Sequence, residues 1–239
     1  MGSESVYYSV VVPLYNEEDN VQELQQQIHE ALTQTQKPYE IVFVDDGSID
    51  ETVRRVVPEP NVRVLEFEKN AGQSAAMYVG MHAAYGKVII LMDGDLQNDP
   101  ADVNRMLDIL ENGYDLVCGF RAQRKDTWSK RMTSKVANAV RSRFTRDGVR
   151  DTGCSLKVLR KECVQALVPF YGMHRFIPAL IKGAGFRITE TPVNHRARVA
   201  GVSKYGFGNR ALKATVDMLA VRWILSRQLK YKVKNSPPE

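Results

Sequence analysis

A chain of 239 residues with 44% apolar residues suits one compact α/β domain with a short appendage. That composition excludes disorder and collagen-like repeats, and no stretch approaches the roughly 18–20 apolar residues that a membrane span needs. The net charge of +5 is partitioned: residues 121–150 carry +8 and residues 196–234 carry +9, which leaves −12 on the remainder. Two basic segments on an acidic body point to an anionic partner, either nucleic acid, anionic lipid or a phosphorylated substrate; a solvated basic face is the plain alternative. Three cysteines, Cys118, Cys154 and Cys163, follow no metal-ligand spacing and read as inert thiols in a reducing compartment.

Strand and helix patterns alternate from the start. Tyr8–Pro13 is a buried-strand run, and Val21, Leu24, Ile28 and Leu32 recur at helical spacing. Glu40–Val44 is a second strand ending in Asp45-Asp46-Gly47-Ser48, and Asp50 caps a helix over Glu51–Val57. A strand over Val62–Glu66, a small-residue helix over Gln73–Ala84 and a strand over Lys87–Met92 follow. Pro100 opens a helix through Leu110, and Tyr114–Phe120 is a fifth strand. This order implies a mainly parallel sheet with helices on both faces, where ligands sit at the carboxyl ends of the strands. Beyond residue 120, Trp128–Thr145 reads as a basic amphipathic helix and Arg150–Val158 as a return to the sheet edge. Cys163–Val168 and Phe176–Gly183 read as short helices, Phe186–His195 as a strand and Ala197–Gly208 as a mobile loop. Asn209–Lys230 reads as a helix.

The acidic clusters fall at strand ends, where packing gives no reason for carboxylates. Asp93 and Asp95, one residue apart, can share a hard divalent cation, Mg²⁺ or Mn²⁺, and Gln97 can add a carbonyl ligand. A solvated turn is the plain alternative for that triplet. Asp45 and Asp46 offer carboxylates for ribose hydroxyls or a base edge, although the same residues make an ordinary strand-to-helix turn. Pro13-Leu14-Tyr15-Asn16-Glu17-Glu18 sets an aromatic ring beside acceptors, as a nucleobase pocket requires.

Taken together, VPLYNEE (Val12–Glu18), VDDGSID (Val44–Asp50), NAGQSAAMYVG (Asn70–Gly80), DGDLQNDP (Asp93–Pro100) and GVSKYG (Gly201–Gly206) are similar to the family 2 inverting glycosyltransferases of GT-A fold. DLQ-x-x-P with the late SKYG resembles the polyprenyl-phosphate branch, the relatives of dolichol-phosphate mannose synthase. The resemblance runs from about residue 8 to residue 225. It implies nucleotide contacts at Pro13, Tyr15, Glu17, Asp45, Asp46, Gly72 and Asp93, and metal and diphosphate contacts at Asp93, Asp95 and Gln97. It further implies that Arg121, Lys130, Arg131 and Arg198 receive an acceptor phosphate, and that Arg198 and Lys204 belong to a loop closing over the donor. Asp95, Arg121, Lys204 and Asp151 are the implied catalytic residues. Asp151 serves either as a base or as a turn cap before Gly153. Gly94 departs from the alanine of many relatives, and the chain stops where many relatives continue into transmembrane helices.

The implied reaction moves a hexose from a GDP- or UDP-linked donor to undecaprenyl or dolichyl phosphate, with Mg²⁺ or Mn²⁺. The implied setting is the cytoplasmic face of the inner membrane, with the chain peripheral on its anionic surface, alone, as a homo-oligomer or with a membrane-protein partner. No nucleic acid is expected, because it would leave the acidic strand ends unexplained. A saccharide acceptor and a non-catalytic nucleotide-sugar-binding subunit are the rival readings. The expected organisation is a transferase domain over residues 1–208 and, over 209–239, a C-terminal helix and basic tail. In that helix Leu212, Val216, Leu219, Ala220, Trp223 and Ile224 form an apolar stripe among cations, the pattern of an interfacial helix or of one packed on the domain.

Overall fold

The computed structural model describes residues 6–121, 142, 144, 145, 147–196 and 210–228. Its centre is a seven-stranded sheet in the order β3-β2-β1-β4-β6-β5-β7. The strands are β1 (Tyr8–Leu14), β2 (Tyr39–Asp45), β3 (Val62–Glu66), β4 (Val88–Leu91), β5 (Leu116–Arg121), β6 (Lys157–Arg160) and β7 (Ile188–Val193). All neighbouring pairs are parallel except those of β6, which is antiparallel to both β4 and β5. The mainly parallel α/β sheet read from the sequence is therefore present.

The central strands are mainly apolar, as in Val10–Val12, Ile41–Val44 and Val88–Leu91, because both faces are covered. In β1, Tyr8, Val10, Val12 and Leu14 enter one core while Val11 enters the other. Helices α1 (Val21–Thr33) and α3 (Asp102–Glu111) seal the first face through Leu24, Ile28, Met106 and Leu110. Helices α2 (Gln73–Ala83) and α4 (Ile177–Gly183) seal the second through Met77, Met81, Leu180 and Ile181. The small residues of α2 have a packing reason: a Cβ on Gly80 would lie 2.9 Å from Val44 Cγ2 and collide with Val11. The three cysteines are free and buried, and burial pushes the thiols of Cys118 and Cys163 up to about 12.

Three expectations are corrected. Glu51–Val57 is not a helix; it forms only a 3-10 turn over Val53–Arg55. Pro58 and Pro60 follow at once, and proline removes the donors that a longer helix would need. Arg150–Val158 does not return to the sheet edge, because β6 is inserted between β4 and β5 in the interior. Cys163–Val168 is replaced by a 3-10 turn over Lys161–Ala166. The expected basic helix Trp128–Thr145 lies almost wholly outside the described residues, and the loop Ala197–Gly208 lies outside them entirely.

Helix α5 (Arg210–Arg227) packs on the second core through Met218, Val221, Ile224 and Leu225. Val216, Leu219 and Trp223 stand 57%, 53% and 64% exposed. Of the expected apolar stripe, Ile224 packs on the domain while Val216, Leu219, Ala220 and Trp223 are exposed, and the side chain of Leu212 lies outside the described residues.

Candidate active site

The carboxyl ends of β1, β2, β4 and β5 lie on one edge of the sheet, and the motif loops leave from there. The loop after β1 is locked onto the loop after β2. The backbone N–H groups of Asn16 and Glu17 donate to Ser48 Oγ at 2.9 Å and Thr52 Oγ1 at 2.8 Å. Asn16 Oδ1 accepts from the Ile49 N–H at 2.9 Å, and Asn16 itself adopts φ +52°. Left-handed backbone in a residue other than glycine is strained, and such strain concentrates at functional sites. Pro13 and Tyr15 are partly buried on this loop, and Glu17 accepts from Asn20 Nδ2 at 2.7 Å.

The two carboxylates ending β2 differ in their use. Asp46 Oδ1 accepts from the N–H of Ala71 at 2.6 Å and of Gly72 at 3.0 Å. Its Oδ2 accepts from Gly72 N–H at 2.9 Å and Asn70 Nδ2 at 3.0 Å. Asp46 therefore clamps the Asn70–Gly72 turn ahead of α2, and burial raises its pKa above the usual carboxylate range. Gly47 is required for this approach: it has φ +72°, and a Cβ there would lie 2.7 Å from Asn70 N. Asp45 is 3% exposed; its Oδ2 accepts from Ser48 N–H at 2.9 Å, and its buried Oδ1 has no hydrogen-bond partner among the described residues. A buried acceptor of that kind is costly unless a ligand donates to it. Of the two, Asp45 keeps a buried acceptor atom without a partner among the described residues, while both oxygens of Asp46 already accept hydrogen bonds.

Asp93 and Asp95 follow β4 on the same edge. Asp93 Oδ1 accepts from Gln73 Nε2 at 2.7 Å, which ties the acidic loop to the start of α2. Burial, and next the neighbouring charge of Asp95, push the Asp93 carboxyl up to about 6. Asp95 is buried and its Oδ1 accepts from Gln97 N–H at 3.2 Å. Leu96 between them has φ +60°, a second left-handed residue within a motif loop. At Gly94 a Cβ would lie 2.7 Å from Leu14 Cδ2, so the acidic loop packs directly on the end of β1. Gln97 Nε2 donates to the backbone O of Arg196 at 3.5 Å, and the backbone O of Gln97 accepts from Arg196 N–H at 3.0 Å. With the Asn98–His195 bridge and the Arg196–Asp99 ion pair at 2.8 Å, this pins the end of the chain's seventh strand segment to the acidic loop. Among the described residues no group of three His, Cys, Asp or Glu side chains is set to hold a metal alone.

Arg121 and Asp151, thirty positions apart, form one bidentate pair. Nε donates to Oδ2 at 2.7 Å and Nη2 to Oδ1 at 2.8 Å. Planar fork-to-carboxylate pairing of this kind is both strong and directional. Gly153 makes room for it, since a Cβ there would meet Arg121 Nη2 at 2.8 Å. Lys130, Arg131, Arg198 and Lys204 lie outside the described residues.

Four residues of this edge escaped the sequence reading. Gln73 holds Asp93, Asn98 Oδ1 accepts from Asp93 N–H at 3.0 Å, and Ser155 Oγ donates to that same Oδ1 at 2.7 Å. Lys157 is buried at the start of β6. Gln73 and Asn98 lie inside the motifs NAGQSAAMYVG and DGDLQNDP, and Lys157 shows in sequence only as a cation between Leu156 and Val158-Leu159. Only the fold reveals that β6 lies beside β4.

The family model described as glycosyl transferase family 2 matches residues 9–168. This chain belongs to glycosyl transferase family 2. The dodecaprenyl-phosphate galacturonate synthase of Rhizobium johnstonii is 39% identical over 231 residues, covering 93% of this chain and 68% of that protein. The undecaprenyl-phosphate 4-deoxy-4-formamido-L-arabinose transferase of Edwardsiella ictaluri is 37% identical over 205 residues, 84% of this chain and 63% of its own length. The chain thus spans about two thirds of the length of these curated relatives. Among solved structures, glucosyl-3-phosphoglycerate synthase from Mycobacterium tuberculosis with uridine diphosphate superposes with a TM-score of 0.70 at 20% identity. That match covers 92% of this chain and 82% of that one. It shows that this family 2 chain has the GT-A fold.

Proposed function

We propose that this family 2 chain transfers a hexose, with inversion, from a GDP- or UDP-linked donor to a polyprenyl phosphate. The observation that carries the reading is Asp93 and Asp95 on one sheet edge with the Arg121–Asp151 pair and the buried Oδ1 of Asp45, which has no hydrogen-bond partner among the described residues. Two carboxylates fit a hard divalent ion, Mg²⁺ or Mn²⁺, that takes its other ligands from diphosphate and water. Among the described residues, too few side chains gather there to hold such an ion without them. Bound there, the ion would neutralise the charge that develops on the departing nucleoside diphosphate. The relatives named for dodecaprenyl and undecaprenyl phosphate support the acceptor class.

The chain's own residues orient the reactants. Asp45 would accept from the nucleoside, while Asp46 keeps the Asn70–Gly72 turn in place beside it. A phosphate acceptor is already anionic, so positioning and electrostatics matter more than a base. The engagement of both Asp151 oxygens by Arg121 supports such base-free transfer: taking a proton would require Asp151 to break that pair. Arg121 would stand as the cationic wall toward the acceptor, with Lys130, Arg131, Arg198 and Lys204 completing it. Thermal melting tests the donor half. One of GDP-mannose or a panel of UDP-sugars, with Mn²⁺, raises Tm by several degrees; no shift with any donor would remove the reading.

Residues 209–239 form the proposed membrane-facing unit. Exposed Val216, Leu219 and Trp223 with Arg222 and Arg227 support a helix lying in the lipid interface. No described helix is long and apolar enough to cross a membrane. Each cation near an anionic surface contributes about 1 kcal/mol at moderate salt. We expect co-sedimentation with phosphatidylglycerol vesicles at low salt and release at high salt; binding to neutral vesicles just as strongly would exclude the electrostatic part.

A further inference from the structure

Lys157 is 3% exposed, the only buried lysine or arginine among the described residues. Its Nζ donates to the carbonyl O of Cys154. A buried ammonium is disfavoured unless charge of opposite sign lies near it, and a single carbonyl does not supply that. The sheet register shows where the opposite charge is. Lys157 stands opposite Leu91 of β4 and Cys118 of β5. Leu91, Cys118 and Leu159 all belong to the second core, so Lys157 faces that side. Continuing the register beyond the last ladder pair brings Ser155 opposite Asp93, and Lys157 diagonal to it. Diagonal neighbours lie roughly 7–8 Å apart, within reach of a long side chain. In keeping with that placement, the Lys157 charge favours the ionised form of Asp93 and the neutral form of His174.

We propose that Lys157 is a built-in counter-ion for the Asp93/Asp95 pair, a positioning residue that keeps the two carboxylates together until a divalent ion arrives with the donor's diphosphate. The proposal rests on the donor and metal reading given above and assigns one more residue to that site. Asp93 and Asp95 repel each other, and with only two such carboxylates the loop would open or fill with a stray cation. A fixed ammonium behind Asp93 offsets that repulsion. It also disfavours a metal ion binding alone, while it favours an anionic diphosphate. Metal and donor are thereby made to load together.

The test is binding to Lys157→Met, whose side chain fills similar volume without charge, and to Lys157→Gln, which keeps a donor for the Cys154 carbonyl. Mn²⁺ alone is titrated by electron paramagnetic resonance, and UDP and GDP are titrated in EDTA by calorimetry. Both variants are expected to bind Mn²⁺ alone about tenfold more tightly and the nucleotide in EDTA about tenfold more weakly. Shifts of opposite sign are what a charge produces and a packing defect does not. Unchanged affinities, or both weakened together, would overturn the proposal. So would failure of both neutral variants to melt cooperatively, because Lys157 would then be structural. If the unaltered chain bound neither nucleotide, even with Mn²⁺, the proposed function itself would fall, a result distinct from these.

Discussion

Asp95→Asn is expected to lower transfer by at least about 10³-fold while leaving the melting temperature nearly unchanged. The two halves of that result have separate causes. Asparagine keeps an Oδ1 to accept the Gln97 N–H, so the strained turn at Leu96 retains its internal bond. It removes the charge by which Asp95 would share a divalent ion with Asp93. Losing the ion's stabilisation of the leaving diphosphate removes several kcal/mol from the transition state, and about 4 kcal/mol corresponds to 10³ in rate. EDTA should lower the unaltered enzyme by a similar factor, and Mn²⁺ should restore it. An Asp95→Asn enzyme fully active in EDTA would end the metal reading.

The second large effect is on stability. Asp151→Ala is expected to destabilise the fold by about 3 kcal/mol, read from urea melts. The Arg121 side chain is 16% exposed and that of Asp151 10%. Truncating the acid deprives a largely buried guanidinium of its bidentate acceptor, which is far costlier than losing an exposed pair. Arg121→Met combined with Asp151→Leu should recover much of the loss, because Arg121→Met removes the cation that Asp151→Ala leaves without its acceptor. Asp151→Ala with normal stability and transfer abolished would instead make Asp151 a base.

The first five strands were legible in the sequence as short, mainly apolar runs, most plainly in Val10–Val12 and Val88–Leu91, which are buried on both faces. Helix α1 was legible from the spacing of Val21, Leu24, Ile28 and Leu32, and α3 from Pro100, which opens it. The interior place of β6 was not, since periodicity reports that Val158 and Leu159 are buried but not which strands flank them. The acidic strand ends were visible as a pattern that packing does not explain. What the pattern could not show was the division of labour between Asp45 and Asp46, two adjacent carboxylates of which one is held by the Asn70–Gly72 turn. The pairing of Arg121 with Asp151 was equally hidden. Each residue was singled out separately, one as a phosphate receiver and the other as either a base or a turn cap, and only the fold joins them.

The most direct test of the central claim is transfer from radiolabelled nucleotide-sugar into an organic-extractable product, with polyprenyl phosphate and Mn²⁺ present. The proposed function predicts label in the organic phase that depends on the lipid phosphate and is released by mild acid as the free sugar. Label that stays aqueous with every donor, or passes instead to an added oligosaccharide, would contradict it.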